Sequence, residues 1–404
     1  MSKNNWVTYK MSDVLEPISI PVDLKSGIDY REIGIRSHGK GIFHKEITDA
    51  ETIGNKRVFK VIPNALIFNI VFAWEQAVAK TSEEDKGFIA SHRFPQYIPK
   101  DNLSDIDYLL YLFMSPKGKY LLNLASPGGA GRNKTLGKKA FDDLELKLPT
   151  NIEQQKIVKI LSTWDKAIST TERLIDNSTQ QKKALMQQLL TGKKRLLDES
   201  GQRFKGEWEE VTLEEAVKYR RGSFPQPYGN PEWVDEVNGY PFVQVYDIAK
   251  NMKLKPDTKM KISDAAIDKS VFIPKETIIV SLQGSIGRVA ITQYDAYVDR
   301  TILLFQEFLV PMNKMFFAYI IQELFEIEKT KAPGGTIKTI TKAVLSNFKV
   351  LIPPLKEQQK IATVLTNANK EIELLEQQLA DLQQEKKALM QVLLTGKKRV
   401  VIDG

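Results

Sequence analysis

The chain has 404 residues, 42% of them hydrophobic and 27% charged, which is typical of a globular protein of two or three domains. No apolar run approaches the roughly 20 residues of a membrane span, and the N-terminal segment lacks an export signal, so we expect a cytoplasmic protein without membrane contact. The formal net charge of +8 is compatible with a nucleic-acid partner.

One pentapeptide, EQQKI, occurs at Glu153–Ile157 and again 204 positions later, at Glu357–Ile361. At the same offset, KKALMQ recurs at Lys182–Gln187 and Lys386–Gln391, and LLTGKKR recurs at Leu189–Arg195 and Leu393–Arg399. The surrounding sequence mostly differs. This pattern predicts a tandem repeat of about half the chain.

The first part of each copy mixes short β-type runs with turns. Examples are Ala65–Phe72, Tyr240–Tyr246 and Thr277–Leu282, which are rich in branched and aromatic residues. We expect two mixed α/β domains, over residues 1–148 and 198–352.

The last part of each copy predicts one long helix. Residues 152–191 and 355–395 contain neither glycine nor proline, and each stretch follows a proline and ends at a glycine, Gly192 or Gly396. These helices belong to segments 149–197 and 353–404. A helix of about 40 residues is roughly 60 Å long, more than one small domain can cover, so we expect the two helices to pair with each other.

Apolar residues in both helices recur at alternating steps of four and three, the heptad pattern of a coiled coil. The predicted seam residues are Ile157, Leu161, Trp164, Ile168, Ile175, Leu185, Leu189, Ile361, Leu365, Ile372, Leu375, Leu379, Leu382, Leu389 and Leu393. The predicted fold is therefore α+β, with two mixed α/β domains separated by two long helices that form an antiparallel coiled coil. A pseudo-two-fold internal repeat would relate the halves.

Motifs for catalysis are not found. The chain has no P-loop for ATP, no nucleophile elbow and no cysteine, and only three histidines could supply imidazole, so we expect neither a catalytic residue nor a metal site. The segment Asn230–Trp233 differs from the amino-methyltransferase signature at its second proline. A nuclease site is too variable in sequence to exclude.

Residues suited to DNA contacts occur in comparable loops of both halves. Arginine, asparagine, glutamine and serine read base edges, whereas lysine, threonine and the glycine backbone suit phosphates. The candidates are Arg36, His38, Lys40, His92, Arg93, Arg132, Asn133 and Lys134 in the first half, and Arg220, Arg221, Gln283, Ser285, Arg288, Arg300 and Lys338 in the second.

Several segments carry a family resemblance. They are LPTNIEQQKIVKIL (Leu148–Leu161), LIPPLKEQQKIATVL (Leu351–Leu365), NGYPFVQVYDI (Asn238–Ile248), FNIVFAWEQAVAKT (Phe68–Thr81) and GFIASHRFP (Gly87–Pro95). With them the chain resembles, over essentially its whole length, the DNA specificity subunits of type I restriction-modification enzymes. Thr150 departs from the proline pair of the second copy.

The resemblance implies a non-catalytic subunit in which two target-recognition domains each read half of a split double-stranded DNA site and the paired helices form a spacer. It also implies two S-adenosylmethionine-dependent adenine methyltransferase subunits and ATP-driven restriction and translocase subunits as partners. S-adenosylmethionine, ATP and Mg²⁺ would then bind to the partners and not to this chain.

Two other functions remain open from the residues. A coiled-coil scaffold or adaptor would bind proteins and show no preference for DNA duplexes. An intrinsic nuclease would cleave DNA with a metal ion.

Overall fold

The computed structural model describes residues 6–129, 134–330 and 340–401 of the chain. In the first repeat the strands are β1 (Val7–Lys10), β2 (Leu15–Ile18), β3 (Asp29–Ile35), β4 (Ile42–Asp49), β5 (Val58–Lys60), β6 (Leu66–Phe68), β7 (Val78–Lys80), β8 (Ile89–Ser91), β9 (Gln96–Pro99) and β10 (Glu145–Leu148). The helices are α1 (Met11–Val14), α2 (Ala50–Ile53), α3 (Ile106–Met114), α4 (Pro116–Leu124), α5 (Lys138–Asp142) and the long α6 (Asn151–Leu189).

The second repeat follows the same plan. Its strands are β11 (Glu209–Thr212), β12 (Val217–Arg221), β13 (Tyr240–Val243), β14 (Met260–Ile262), β15 (Val271–Ile273), β16 (Ile278–Ser281), β17 (Val289–Ile291), β18 (Ala296–Val298), β19 (Ile302–Phe308) and β20 (Lys349–Ile352). Its helices are α7 (Leu213–Ala216), α8 (Asp264–Ile267), α9 (Lys314–Thr330), α10 (Lys342–Ser346) and the long α11 (Leu355–Leu393).

The strands of the two repeats correspond one to one. Each repeat has a two-stranded pair (β1-β10; β11-β20) and two four-stranded sheets, ordered β2-β9-β6-β7 and β4-β3-β8-β5 in the first and β12-β19-β16-β17 and β14-β13-β18-β15 in the second. The one parallel pairing described in each repeat also matches, since β3 lies parallel to β8 as β13 does to β18. The predicted internal repeat is therefore a repeat of topology as well as of sequence.

The predicted strands are real but shorter than the apolar runs suggested. The run Ala65–Phe72 contains only β6, because the Asn69 side chain accepts a hydrogen bond from the Val71 amide and forms a turn. The run Tyr240–Tyr246 contains β13 and then a 3₁₀ turn that the buried Asp247 caps. Side-chain capping thus ends strands that hydrophobicity alone would extend.

The chain forms two compact units, and neither is a single stretch of one repeat. The first unit combines the chain up to Thr170 with the residues from Leu379 onward, and the second comprises Thr171–Gln378. Each long helix therefore contributes its first part to one unit and its last part to the other.

Each unit's core contains ends of both long helices. In the first unit, Ile157 and Leu161 of α6 and Leu393 at the end of α11 are buried in one cluster with the aromatic residues of α3 and α5. In the second unit, Leu189 of α6 and Leu365 of α11 are buried together with the aromatic residues of α9. Burial of such apolar side chains contributes about 25 cal/mol per Å², so the helix ends are integral to each core.

The two helices run antiparallel within each unit. In the first unit Asp165 of α6 forms an ion pair with Lys386 of α11, and Glu153, earlier in α6, pairs with Arg399, beyond the end of α11. In the second unit Ser178 donates to Glu371 at 3.3 Å. The predicted antiparallel pairing of the long helices is confirmed.

All fifteen predicted seam residues are buried or half-buried. By contrast, Leu174 and Leu374, which lie off the predicted seam, are 46% and 71% exposed. The burial pattern supports the heptad assignment, while the pairwise contacts along the seam stay a prediction.

The repeated EQ dipeptide occupies equivalent buried positions in the two units. Glu153 and Gln154 are fully buried, as are Glu357 and Gln358. Gln154 accepts from the Asp105 amide at 2.9 Å and donates to the Leu103 and Pro149 carbonyls, so it fixes the start of α6 against the domain. Gln358 makes the same three kinds of bond, accepting from Asn313 and donating to the Pro311 and Pro353 carbonyls.

Each glutamate of the repeated dipeptide is held by the arginine that ends the other LLTGKKR segment. Arg399 donates Nε and Nη2 to the two oxygens of Glu153, both at 2.6 Å, which we call the first clasp. Arg195 donates to Glu357 at 2.6 and 2.7 Å, which we call the second clasp. Such two-bond pairs are short and strong, and they give a buried carboxylate the counter-charge that it needs.

A tryptophan and a glycine complete each clasp. The Trp6 ring lies 5.9 Å from the Arg399 guanidinium, and Trp208 lies 5.6 Å from that of Arg195. Gly396 and Gly192 have φ of +71° and +70°, and a Cβ on them would lie 3.2 and 3.5 Å from the respective tryptophan ring. Glycine therefore both ends the helix and lets the tail pass close to the tryptophan.

The two units differ at one pair of equivalent helix positions. In the first unit Tyr111 donates to Asp165 at 2.5 Å, and Asp165 pairs with Lys386. The counterpart of Asp165 in the second unit is Asn369, which donates to Tyr319 at 2.7 Å. Lys182, the counterpart of Lys386, lies 6.0 Å from the Tyr319 ring, and burial lowers its pKa. The carboxylate of the first unit is thus replaced by a neutral amide in the second.

Candidate nucleic-acid interface

One end of a sheet gathers the predicted contacts of the first unit. At this end β2 and β6 finish and β9 and β7 begin, as the antiparallel registers Ile18↔Gln96 and Phe68↔Val78 require. His92 and Arg93 lie in the loop between β8 and β9, and both are exposed. The Arg93 carbonyl accepts from the Ile70 amide at 3.0 Å, which connects this loop to the residues that follow β6.

The turn between β3 and β4 is tied to the same end and carries Arg36, His38 and Lys40, all exposed. The His38 amide donates to the Glu75 carbonyl at 2.7 Å, and the Gly39 amide donates to Gln76 at 3.0 Å, just before β7. Arg36 stacks on Phe43, with 4.7 Å between its guanidinium carbon and the ring centroid.

Lys134 also belongs to this set of loops. Its Nζ lies 5.6 Å from the Trp74 ring centroid and donates to Asn123 at 2.8 Å. The nearby Leu136 amide donates to Ile70 at 2.8 Å, which brings the segment to the same end of the sheet. Arg132 and Asn133 lie outside the described residues.

The corresponding end of the second unit's sheet gathers its predicted contacts. Here β12 and β16 finish and β19 and β17 begin, with the register Ser281↔Ile302. Arg220 and Arg221 end β12, Gln283 and Ser285 follow β16, and Arg300 precedes β19. These five side chains are exposed.

Backbone and side-chain hydrogen bonds join these loops. The Leu282 amide donates to the Thr301 carbonyl at 2.8 Å, and Arg221 Nη2 donates to the Ile340 carbonyl at 3.0 Å. Arg220 and Arg221 are adjacent strand residues, so their side chains leave opposite faces of the sheet. Lys338 lies outside the described residues.

Arg288 is more constrained than the other predicted contacts. It is half-buried, its amide donates to the Ser281 hydroxyl at 2.9 Å, and its Nη1 donates to the Ile248 carbonyl at 3.2 Å. It lines a cavity of about 440 Å³ that Lys250 and Lys329 also line. Glu326 lines the same cavity and pairs with Lys329 at 2.6 Å, so the positive charge that the cavity offers a phosphate comes mainly from Lys250 and Arg288.

A hydrogen-bonded network of two tyrosines, a glutamine and an aspartate also lies at this end of the second unit. Tyr228 donates to the buried Asp299 at 3.0 Å, and Gln244 donates its amide Nε2 to the Tyr228 oxygen at 2.9 Å. Tyr246 donates to Gln244 Oε1. The Arg300 guanidinium lies 5.6 Å from the Tyr228 ring centroid, so the network adjoins a predicted contact.

Neither a metal site nor a membrane span is seen in the described part of the chain. No group of three or more histidine, aspartate or glutamate side chains there could hold a metal ion. None of the described helices is long and apolar enough to cross a membrane.

Both repeats of the chain match one known protein family. The family described as the type I restriction modification DNA specificity domain matches residues 3–177 and 205–384, which together are most of the chain. The chain belongs to this family. The two matches fall on the two repeats, so this DNA specificity chain contains two copies of the family's domain.

Relatives and solved structures agree with the family. The type I restriction enzyme MjaVIII specificity subunit of Methanocaldococcus jannaschii is 27% identical over 420 residues, covering 98% of this chain and 93% of that protein. A chain from a structure on complex assembly and conformational transition of a type I restriction-modification system has a TM-score of 0.65 at 18% identity and covers 98% of both chains. The HsdS subunit from Thermoanaerobacter tengcongensis has a TM-score of 0.56, also at 18% identity, with the same coverage. The predicted fold and family are confirmed.

Several residues of this specificity chain escaped sequence analysis. Tyr228 and Asp299 belong to no motif. Gln244 and Tyr246 lie in the family-like segment Asn238–Ile248, but nothing there marks them as contacts, and the three segments meet only in the fold. One signal was available: Gln244 is the polar residue that interrupts the run Tyr240–Tyr246, and such an interruption can mark a strand end, where side chains can reach a ligand. The clasps were missed because each joins residues about 160 or 250 positions apart.

Proposed function

We propose that the chain reads a split double-stranded DNA site, with one half-site contacted by each unit. The observation that carries this proposal is the correspondence of the two sheet ends. Exposed His92-Arg93 follows β8 in the first unit, and Asp299-Arg300 follows the equivalent β18 in the second. Arginine and polar side chains on loops at a sheet end can contact phosphates and base edges.

The described candidate contacts form one set for each unit: Arg36, His38, Lys40, His92, Arg93 and Lys134, and Arg220, Arg221, Gln283, Ser285, Arg288 and Arg300. We assign phosphate contacts to the lysines and to Arg93, Arg221 and Arg300, and base contacts mainly to Arg36, Arg220 and Gln283. Arg288 is assigned to phosphate, because its side chain is already bonded to the Ile248 carbonyl.

The proposed domain boundaries are those expected from sequence, 1–148, 149–197, 198–352 and 353–404. Their support is that β10 ends at Leu148 and α6 begins at Asn151, while β20 ends at Ile352 and α11 begins at Leu355. In both repeats two residues separate the last strand of the proposed recognition domain from the long helix.

We further propose that this specificity chain is not itself catalytic and works with partner subunits in the cytoplasm, where its DNA would be. Two methyltransferase subunits would use S-adenosylmethionine, and restriction and translocase subunits would use ATP and Mg²⁺. Family membership and the name of the M. jannaschii relative support this division of labour.

The test is sequence-selective binding and methylation by the assembled complex. The chain is co-purified with type I methyltransferase subunits from its own host, and methylated adenines are mapped on a random-sequence duplex library. We expect one split motif whose two halves lie at a fixed separation from each other. A protein scaffold would show no duplex preference, and an intrinsic nuclease would cleave DNA with Mg²⁺ in the absence of partners; either result contradicts the proposal.

A further inference from the structure

Gln244 occupies the position directly after β13, where the Asp299 amide donates to the Val243 carbonyl at 3.1 Å. The backbone N–H of Gln244 donates to Asp247, a buried carboxylate that caps the following turn. The backbone on both sides of Gln244 is therefore fixed by hydrogen bonds. Its half-buried side chain lies between two exposed tyrosines, Tyr228 and Tyr246.

The direction of the bonds sets the orientation of the Gln244 amide. Asp299 accepts from Tyr228 and also from the Thr301 amide and hydroxyl. Burial and the nearby Asp299 raise the pKa of Tyr228 to about 12, so its phenol stays protonated at neutral pH. Because the Tyr228 proton goes to Asp299, the phenol oxygen accepts from Gln244, and the amide nitrogen must face Tyr228.

Tyr246 fixes the other end of the amide. Its hydroxyl donates to Gln244 Oε1, and its ring lies 5.2 Å from the Lys259 ammonium group. A primary amide has two N–H donors and an oxygen with two lone pairs. Among the described residues, the two tyrosines use one donor and one lone pair, which leaves the amide one N–H and one lone pair.

A donor beside an acceptor is the complement of adenine in the major groove. Adenine presents N7 as an acceptor and N6 as a donor, whereas guanine presents two acceptors, N7 and O6. The Gln244 oxygen would repel guanine O6. Exposed Arg221 and Arg300 at the same sheet end can hold the neighbouring phosphates.

We propose that Gln244 reads an adenine in the half-site of the second unit and that Tyr228 and Tyr246 orient its amide for this contact. The inference rests on the proposed function, that each unit reads one half-site. It adds a specificity-determining residue and the base that this residue recognises. In the first unit the position after β3, the counterpart of β13, is occupied by Arg36, so the two half-sites are read by different chemistry at this point.

The test uses the assembled methyltransferase complex and the motif that it methylates on a random-sequence library. Gln244→Ala should lose about ten- to a hundredfold discrimination at one A·T position of one half-site and leave the other half-site unchanged. Gln244→Glu, which cannot donate, should disfavour adenine at that same position. Tyr228→Phe should relax the same position more weakly, because it removes the hydroxyl that accepts from the amide.

Gln306→Ala is the matched control, since Gln306 is an exposed glutamine on β19 of the same unit. This substitution is expected to leave the methylated motif intact. An unchanged motif in Gln244→Ala, equal weakening at every position, or a wild-type half-site without an A·T pair would each overturn the inference. If Gln244→Ala fails to assemble, Gln244→Glu and Tyr228→Phe decide by the same readout. A wild-type complex without any split motif would instead contradict the proposed function.

Discussion

Glu153 and Glu357 are carboxylates enclosed by protein, and each lies against one arginine that belongs to the opposite repeat. The side chain of Glu153 is 1% exposed and that of Glu357 is not exposed at all. A hydrogen-bonded carboxylate in such a site raises the pKa of the arginine beside it, as Glu153 does for Arg399 and Glu357 does for Arg195. In each unit one guanidinium group thus supplies the counter-charge of a buried carboxylate.

Removal of the first clasp tests that dependence. Arg399→Ala should lower the free energy of unfolding by about 3 kcal/mol, because the buried Glu153 would lose the cation that compensates it. Urea unfolding measures the change, and Lys397→Ala, at an exposed position two residues earlier, is the control. Equal urea midpoints for the two variants would show that the clasp contributes nothing.

Arg93 and Arg300 allow a second test on single residues, because they occupy equivalent positions after β8 and β18. If each contacts a phosphate, its replacement by alanine should reduce the slope of log K against log salt by about 0.9 for B-DNA. DNA affinity of the complex is measured across salt concentrations, with the exposed Lys147→Ala on β10 as control. A slope equal to that of the unaltered complex would remove the residue from the phosphate contacts.

Among the elements, the two long helices carry the clearest asymmetry, since Asp165 of α6 has Asn369 of α11 as its counterpart. We expect Lys182→Met to raise the melting temperature at neutral pH, because a half-buried ammonium group that has no ion pair among the described residues is replaced by an apolar chain. The equivalent Lys386→Met should lower it, because Asp165 would lose its cation.

The stability gain from Lys182→Met should depend on pH, and the direction of that dependence follows from the lowered pKa of Lys182. Burial lowers the pKa of Lys182, so the native state prefers the neutral amine and loses stability as the pH falls through that lowered pKa. The gain from Lys182→Met should therefore be largest at neutral pH and shrink toward the ordinary lysine pKa of about 10.4. A constant gain across this range would point to packing instead of charge.

Sequence patterns were informative where the determinants are local. The lack of glycine and proline predicted α6 and α11 to within a few residues, and the 204-residue offset revealed the repeat. The same offset could not show that Glu153 pairs with Arg399, because a repeat comparison aligns equivalent residues, whereas the clasp joins non-equivalent ones. Gln244 was missed for a related reason, since the tyrosines that orient it come from different segments.

For the whole molecule, the correspondence of the two sheet ends implies separate recognition by each unit. Replacement of residues 1–148 with the corresponding part of a relative should change one half of the methylated motif and leave the other half intact. The replacement must retain apolar residues that pack on Leu393, because the end of α11 belongs to the first unit's core. A change in both halves, or in neither, would contradict independent recognition.

The residue ranges of the two units also imply an order of folding during synthesis. The second unit is continuous from Thr171 to Gln378, whereas the first needs everything from Leu379 onward. At roughly 5 to 20 residues per second, a ribosome takes about 10 to 40 s to pass from Thr170 to Leu379. During that interval the apolar residues of the first unit that await the end of α11 lack their partner.

We therefore expect the nascent chain to complete its second unit before its first. Chains stalled on the ribosome with the sequence emerged only to Gln378 should resist proteolysis over Thr171–Gln378 and remain cleavable before Thr170, where chaperones would bind. Protection of the first unit in such stalled chains would show that it folds without its C-terminal segment. A premature stop codon near the end of the gene would thus act at a distance, on the domain that the ribosome made first.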